Sequence, residues 1–140
     1  MTASYGTATV ECGGAQIRAH CRHLATVVTI TGDVDAVNTE AIGVYVRRLL
    51  LLKNALILDL SGVSSFAATG IPLLSAIDED CRAAALEWAV VASRPVMELL
   101  DDHRYAAFPV ARSVPEALSV LAEEISTRRE LLLPLIRKTA

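Results

Sequence analysis

The apolar positions of this chain fall into short blocks whose spacing alternates between two periods. Residues 24–31 (LATVVTIT) are rich in β-branched side chains, which suit a strand, and Gly32-Asp33 then interrupts the run. From 39 to 52 the apolar residues Ile42, Val46, Leu49 and Leu50 recur at helical spacing. Arg47, Arg48 and Lys53 gather at the far end, where cations suit the helix dipole, and Asp35 or Asn38 is placed to cap the near end. Residues 55–60 (ALILDL) are almost continuously apolar, the pattern of a strand buried on both faces. The remaining pattern predicts a helix over 70–85, a buried strand over 88–92 (WAVVA), a short helix over 95–100 and a brief edge strand over 108–111. A closing amphipathic helix over 115–125 comes last, with Ser113 and Glu116 in capping-box spacing.

Strand and helix thus alternate after an initial strand or hairpin, which points to an α/β layer with helices packed on a sheet. The 140 residues suffice for one such domain. Residues 1–14 are small, polar and glycine-containing and read as a flexible N-terminal arm, with structure beginning near Ala15. The domain itself is expected over 15–126. Residues 127–140 form a C-terminal extension, either a continued helix or a loose end, whose apolar stretch at 131–136 leaves room for a homo-oligomer.

Composition narrows the function. The chain is 53% hydrophobic, yet no run approaches the roughly 20 apolar residues of a membrane span, so no membrane partner is expected. The start lacks the basic and apolar segments of a signal peptide, which makes the cytoplasm the expected location. A net charge of −3 without a run of Lys and Arg argues against nucleic acid. Cys12, Cys21 and Cys81 include no C-x-x-C pair and read as free thiols. His20-Cys21-Arg22-His23 contains ligand types for a metal, but an extended chain points the two histidines to opposite faces and no second ligand pair comes after them. Asp78, Glu79 and Asp80 precede Cys81 and would raise its thiol pKa, which opposes nucleophilic duty. Trp88 reads as packing, and His103 beside Asp101 and Asp102 as a helix-end turn. Gly13-Gly14 lacks the phosphate-loop pattern. No cofactor, metal or catalytic set is therefore nominated.

The stretch with most information is 59–74, DLSGVSSFAATGIPLL. It leaves a buried strand, passes through small residues and enters a helix. Thr69, directly before Gly70, is a natural N-cap, and Pro72 in the first turn forfeits no hydrogen bond. The unpaired N–H groups of that turn would tolerate a phosphate on Thr69. Ser64 and Ser65 read as loop residues, and Asp33 and Asp35 as turn and cap residues that also offer partner contacts.

This segment resembles the signature of STAS domains, in which a strand ending D-L-S-x-V leads through a D-S-S/T-G-like turn into a long helix. Residues 30–35 (ITGDVD) resemble the family's first strand-to-helix loop, and 90–92 with 95–100 its later strand and short helix. The resemblance, closest to the bacterial anti-sigma factor antagonists, covers roughly residues 15–125. It implies a single STAS domain with a mixed sheet of four to five strands and helices mainly on one face. It also implies a binding protein rather than an enzyme, with a partner, an anti-sigma factor of the protein kinase type, whose binding releases a sigma factor. The binding surface would be the 32–38 loop, the 61–69 loop and the adjoining helix start, with Asp33, Asp35, Asn38, Ser64, Ser65, Thr69 and Gly70 as its residues. By position Thr69 would be the phosphorylated residue. The turn departs from the family in carrying Ala67 and Ala68 where Asp and Ser are usual. That departure motivates an alternative, a STAS scaffold or stress-signalling module not regulated at Thr69. A third reading, a receiver-like phosphoacceptor at Asp59, requires further carboxylates around a strand end.

Overall fold

In the computed structural model, residues 8–22, 24–102 and 108–139 are described. Three strands come first: β1 (Thr9–Cys12), β2 (Ala15–Arg22) and β3 (Ala25–Val34). They are succeeded by α1 (Thr39–Leu49) with a 3-10 turn at Leu50–Leu52, then β4 (Ala55–Phe66), α2 (Gly70–Ala83), β5 (Trp88–Ala92), α3 (Arg94–Asp102), β6 (Val110–Ala111) and α4 (Val114–Thr139). The strands form one six-stranded sheet in the order of the sequence.

Connection length decides the strand directions. Gly13 and Gly14, at φ of 46° and 97°, make the two-residue turn that folds β1 antiparallel onto β2, and β2 pairs antiparallel with β3 from Ala15↔Gly32 to Arg22↔Ala25. Each later strand is reached through a helix, so β3 to β6 pair in parallel. Crossovers of one hand along a steadily advancing sheet place their helices on one face. Accordingly Ile42 and Val46 of α1, Leu74 and Ile77 of α2 and Val96 and Leu100 of α3 share one core with Leu56, Leu58 and Leu60 of β4. Helix α4 comes after the last strand and returns across the other face, where Ala117 and Leu121 pack on Ala25, Val27, Ile57, Ala89 and Val91. The central strands are thus covered on both sides, which is why 55–60 reads as continuously apolar. On β2 only alternate residues, Ala15, Ile17 and Ala19, are buried.

The single mixed α/β domain agrees with expectation, and three corrections refine it. The sheet has six strands rather than four to five, because Thr9–Cys12, within the expected arm, pairs with β2 from Thr9↔Arg18 to Cys12↔Ala15. Strand β3 continues past Gly32-Asp33 to Val34, and β4 past Leu60 to Phe66, so most of the two expected loops is strand. Register shifts between Thr29 and Thr31 and between Gly32 and Asp33 absorb the irregularity. Gly62 is required there, since a Cβ would come within 2.7 Å of Thr31 Cγ2. Of the two alternatives for the extension, α4 takes the continued helix, running 26 residues from Val114 to Thr139. His23 and His103 lie outside the described residues.

The end of α2 yields a stability prediction. Ala85 holds φ of 57°, while its N–H donates to the Arg82 carbonyl (3.1 Å) and the Leu86 N–H to the Cys81 carbonyl (2.8 Å), closing a Schellman turn on a residue other than glycine. The left-handed conformation costs an L-residue about 1–2 kcal/mol, partly offset by glycine's greater freedom when unfolded. Ala85→Gly should therefore stabilise the chain by about 0.5–1 kcal/mol, read as a higher urea midpoint at unchanged slope. A midpoint that stays or falls would contradict this account.

Candidate functional site

Parallel pairing carries β3 and β4 to the same end of the sheet, with Asp33↔Ser65 and Val34↔Phe66 as the last register pairs. The next turns, 35–38 into α1 and 67–69 into α2, therefore lie side by side. The Ala67 N–H donates to the Val34 carbonyl at 2.9 Å and joins them. Beyond the turns α1 and α2 run together, bridged on the surface by Arg47 and Asp80 (3.2 Å).

Asn38 holds the first turn from beneath. It is only 2% exposed, and its Nδ2 donates to the carbonyls of Cys12 (2.9 Å), Gly13 (3.1 Å) and Asp33 (2.8 Å), while Oδ1 accepts the Asp35 N–H (3.0 Å). One buried amide thus ties the β1–β2 turn, the end of β3 and the docking turn together. Asp35 Oδ1 accepts the Val37 N–H at 2.9 Å, an Asx turn that raises Val37 to the tip. Asp33 Oδ1 accepts the Ser65 hydroxyl at 2.8 Å across the β3–β4 pair.

The second turn rests on a different contact. Gly70 is buried, and a Cβ there would lie 2.3–2.8 Å from atoms of the Phe66 ring, so the ring and the helix start fit only without a side chain at 70. The Gly70 and Ile71 N–H groups donate to Ala67 (2.8 Å) and Ala68 (3.1 Å) carbonyls. Thr69 occupies the N-cap position of α2 but keeps helical angles (φ −64°, ψ −14°) and makes no side-chain capping bond. The expected capping role is thereby corrected: its exposed hydroxyl is not consumed by the helix.

Asp33, Ser64, Ser65 and Thr69 are exposed and Asp35 half-buried, all at the same end of the sheet. Asn38 and Gly70, expected as partner contacts, lie buried and position the others. Asn38 caps through no side-chain bond to α1, because its amide is engaged across the β1–β2 turn. Next to Thr69 a groove of about 360 Å³ runs between the helices, lined among others by Thr39, Gly43, Val44, Pro72 and Ala76. Sequence reasoning missed the exposed apolar residues here, Val37 (82% exposed) and Val44 (43%). For Val44 the signal was present, since it stands off the Ile42–Val46 helical face; Val37 lies in the turn before α1, where no periodicity marks it.

The other residues nominated from sequence are accounted for elsewhere. Asp59 stands in the middle of β4, not at a strand end, and its Oδ1 accepts the Ser61 N–H (3.0 Å) and hydroxyl (2.6 Å). Burial pushes the Cys81 thiol up to about 12, with Asp78 and Asp80 adding to the effect. Trp88 packs edge-on to Phe108 and donates its indole N–H to Asp78 (2.9 Å).

The geometry defines an α/β domain with two adjoining turns at one end of a mixed sheet. A family model for the STAS domain matches residues 16–117, and the chain belongs to that family. It is 51% identical over 145 aligned positions to Osmosensory protein A of Mycobacterium tuberculosis (strain ATCC 25618 / H37Rv), spanning 100% of this chain and 92% of that protein. Its fold is similar to the crystal structure of an anti-sigma factor antagonist from Mycobacterium paratuberculosis (TM-score 0.68, 22% identity, 77% of this chain and 94% of the other). It is also similar to the anti-sigma factor antagonist SpoIIAA in its unphosphorylated form (TM-score 0.63, 14% identity, 76% and 96%).

Two substitutions test the supports. Asn38→Ala strands three carbonyls and an N–H and should cost roughly 2–4 kcal/mol by urea denaturation. Amide exchange at Asp35 should quicken more than at Leu58; equal acceleration at both would deny Asn38 its local role. Gly70→Ala should destabilise by about 1–3 kcal/mol, and Phe66→Leu in that background should recover part of the loss. No recovery would mean the ring is not what excludes the methyl.

Proposed function

We propose that this chain is an anti-sigma factor antagonist acting in the cytoplasm: it binds an anti-sigma factor of the protein kinase type and thereby releases a sigma factor for transcription. It acts by binding, not catalysis. The docking surface is the 35–38 turn, the exposed residues Asp33, Ser64 and Ser65, the 67–69 turn and the adjoining α1–α2 groove. The observation that carries this reading is Thr69, exposed at the start of α2 beside that groove with no capping bond to surrender.

Phosphorylation of Thr69 then switches the complex. The phosphate adds a charge of about −1.5 to −2 next to the positive end of α2, so the domain stays folded. The same charge faces the nucleotide phosphates of the kinase that delivered it, on a surface already carrying Asp33, Asp35 and Glu40. Repulsion weakens the complex.

A second reading keeps the docking surface and removes the switch. The absence of an acidic residue and a second hydroxyl at Ala67 and Ala68 favours it, as does a relative named for osmosensing rather than for sigma-factor control. The chain would then be a stress-signalling STAS module regulated elsewhere than Thr69.

The deciding experiment mixes the full chain with each purified anti-sigma kinase of its organism, with and without ATP, and monitors complex formation and intact mass. The switch requires one added phosphate on Thr69 and binding weakened at least about tenfold, which is about 1.4 kcal/mol. Thr69→Glu should imitate the weakened state and Thr69→Ala should bind constitutively. Binding that ATP does not alter supports the second reading, and no binding to any of these kinases overturns the proposal.

A further inference from the structure

The face of the sheet opposite the docking groove is only half covered. Along β3 its side chains run Ala25, Val27, Thr29, Thr31; the first two lie under α4, and the character changes to hydroxyl where the helix no longer covers the strand. Directly opposite cross-strand residues share a face, so Thr9, Arg18 and Thr29 form one row across β1, β2 and β3. Glu11, Gln16 and Thr31 form the next. Between these rows lies a recess of about 200 Å³ lined by Thr9, Gln16, Ile17, Arg18, Thr29 and Thr31. Arg18 is the one charged residue in that lining.

We infer that this recess is a site for a phosphate monoester, centred on the Arg18 guanidinium with the Thr9, Thr29 and Thr31 hydroxyls as further donors. The guanidinium offers a planar fork of N–H donors matched to phosphate oxygens, and each hydroxyl donates one more bond. A tetrahedral dianion takes bonds from several directions, which suits donors grouped around a recess; a flat carboxylate would leave some unused.

The surrounding charges agree. Arg18, His20 and Arg22 occupy alternate positions of β2 and so share this face, roughly 7 Å apart in succession. Neither arginine is ion-paired among the described residues. Burial first, and then Arg22 and Arg18, hold the His20 imidazole below its ordinary pKa. The acids of this face are engaged elsewhere: Asp59 continues the Thr9–Arg18–Thr29 row onto β4 and accepts from Ser61, Asp33 lies at the next alternate position after Thr31 and accepts the Ser65 hydroxyl at 2.8 Å, and Glu11 in the neighbouring row accepts the Gln16 amide at 2.9 Å. The site lies on the α4 side of the sheet, away from the Thr69 groove, and does not depend on the function proposed above.

The test titrates the full chain, observed by two-dimensional NMR, with O-phosphoserine, a phosphoserine-containing peptide and inorganic phosphate. Saturable shifts at Thr9, Arg18, Thr29 and Thr31 are expected, together with a rise in the His20 pKa as the bound anion offsets the arginines. Arg18→Gln should weaken binding on the order of tenfold or more, and Arg18→Lys, which keeps the charge but loses the fork, by less. Tighter binding of the peptide than of inorganic phosphate identifies a protein source, and the reverse a free phosphate. Absence of saturable shifts with all three probes, or equal affinity in Arg18→Gln, overturns the site.

Discussion

Strands β3 and β4 are the longest in the sheet, at 10 and 12 residues, and their parallel ladder runs from Ala25↔Ala55 to Val34↔Phe66. Both ends of that ladder matter. At its start both strands are buried on both faces, which anchors the register: a slip by one residue would exchange the side chains facing α1 to α3 with those facing α4. At its end the pairing delivers two chain segments to one place, and the proposed docking surface lies where the chain leaves Val34 and Phe66. The placement of that surface therefore rests on a contact formed well below it.

Two buried devices convert this placement into a defined surface. One is polar, the Asn38 amide with its three carbonyls and one N–H. The other is steric, the Phe66 ring against a glycine. Neither touches a partner, yet both set where Asp35, Val37 and Thr69 stand. A surface held in this way needs little further ordering, so any contact made there would lose less energy in fixing loops. The Asn38 device also makes β1 part of the site, because Cys12 and Gly13 supply two of its acceptors.

Legibility in the sequence tracked periodicity. The run ALILDL announced a strand covered on both faces, and Ile42 and Val46 announced α1, because each pattern matches the period of its element. Strand β1 was hidden: TVEC is short and mostly exposed, and only pairing with β2 holds it. Residues 61–66 read as a loop because small polar residues ordinarily mark turns, whereas Gly62 and two register shifts let the strand continue. The residue types of Asn38 and Thr69 were right for helix caps, but partners up to 26 positions away in sequence decided against capping for Asn38. A local reading has no access to such partners. Thr69 shows a related case: its residue type and position suit a cap, yet it keeps helical angles and makes no capping bond.

Charge was the least legible property, because net charge sums over faces that only the fold separates. The value of −3 conceals acidic residues around the start of α1, Asp35 and Glu40, and a row of Arg18, His20 and Arg22 on the α4 side of the sheet. In sequence the members of that row are two apart and interrupted by Ala19 and Cys21, so no basic run is visible. In a strand a spacing of two is contiguity. Screening at physiological ionic strength reduces interactions between exposed charges over about 8 Å, and a layer of packed sheet and helix is about 10 Å thick. Salt therefore weakens the coupling between charges on the two faces. A charge at the 67–69 turn acts first on the turns beside it and much less on the arginine row, because distance and screening both favour the nearer groups.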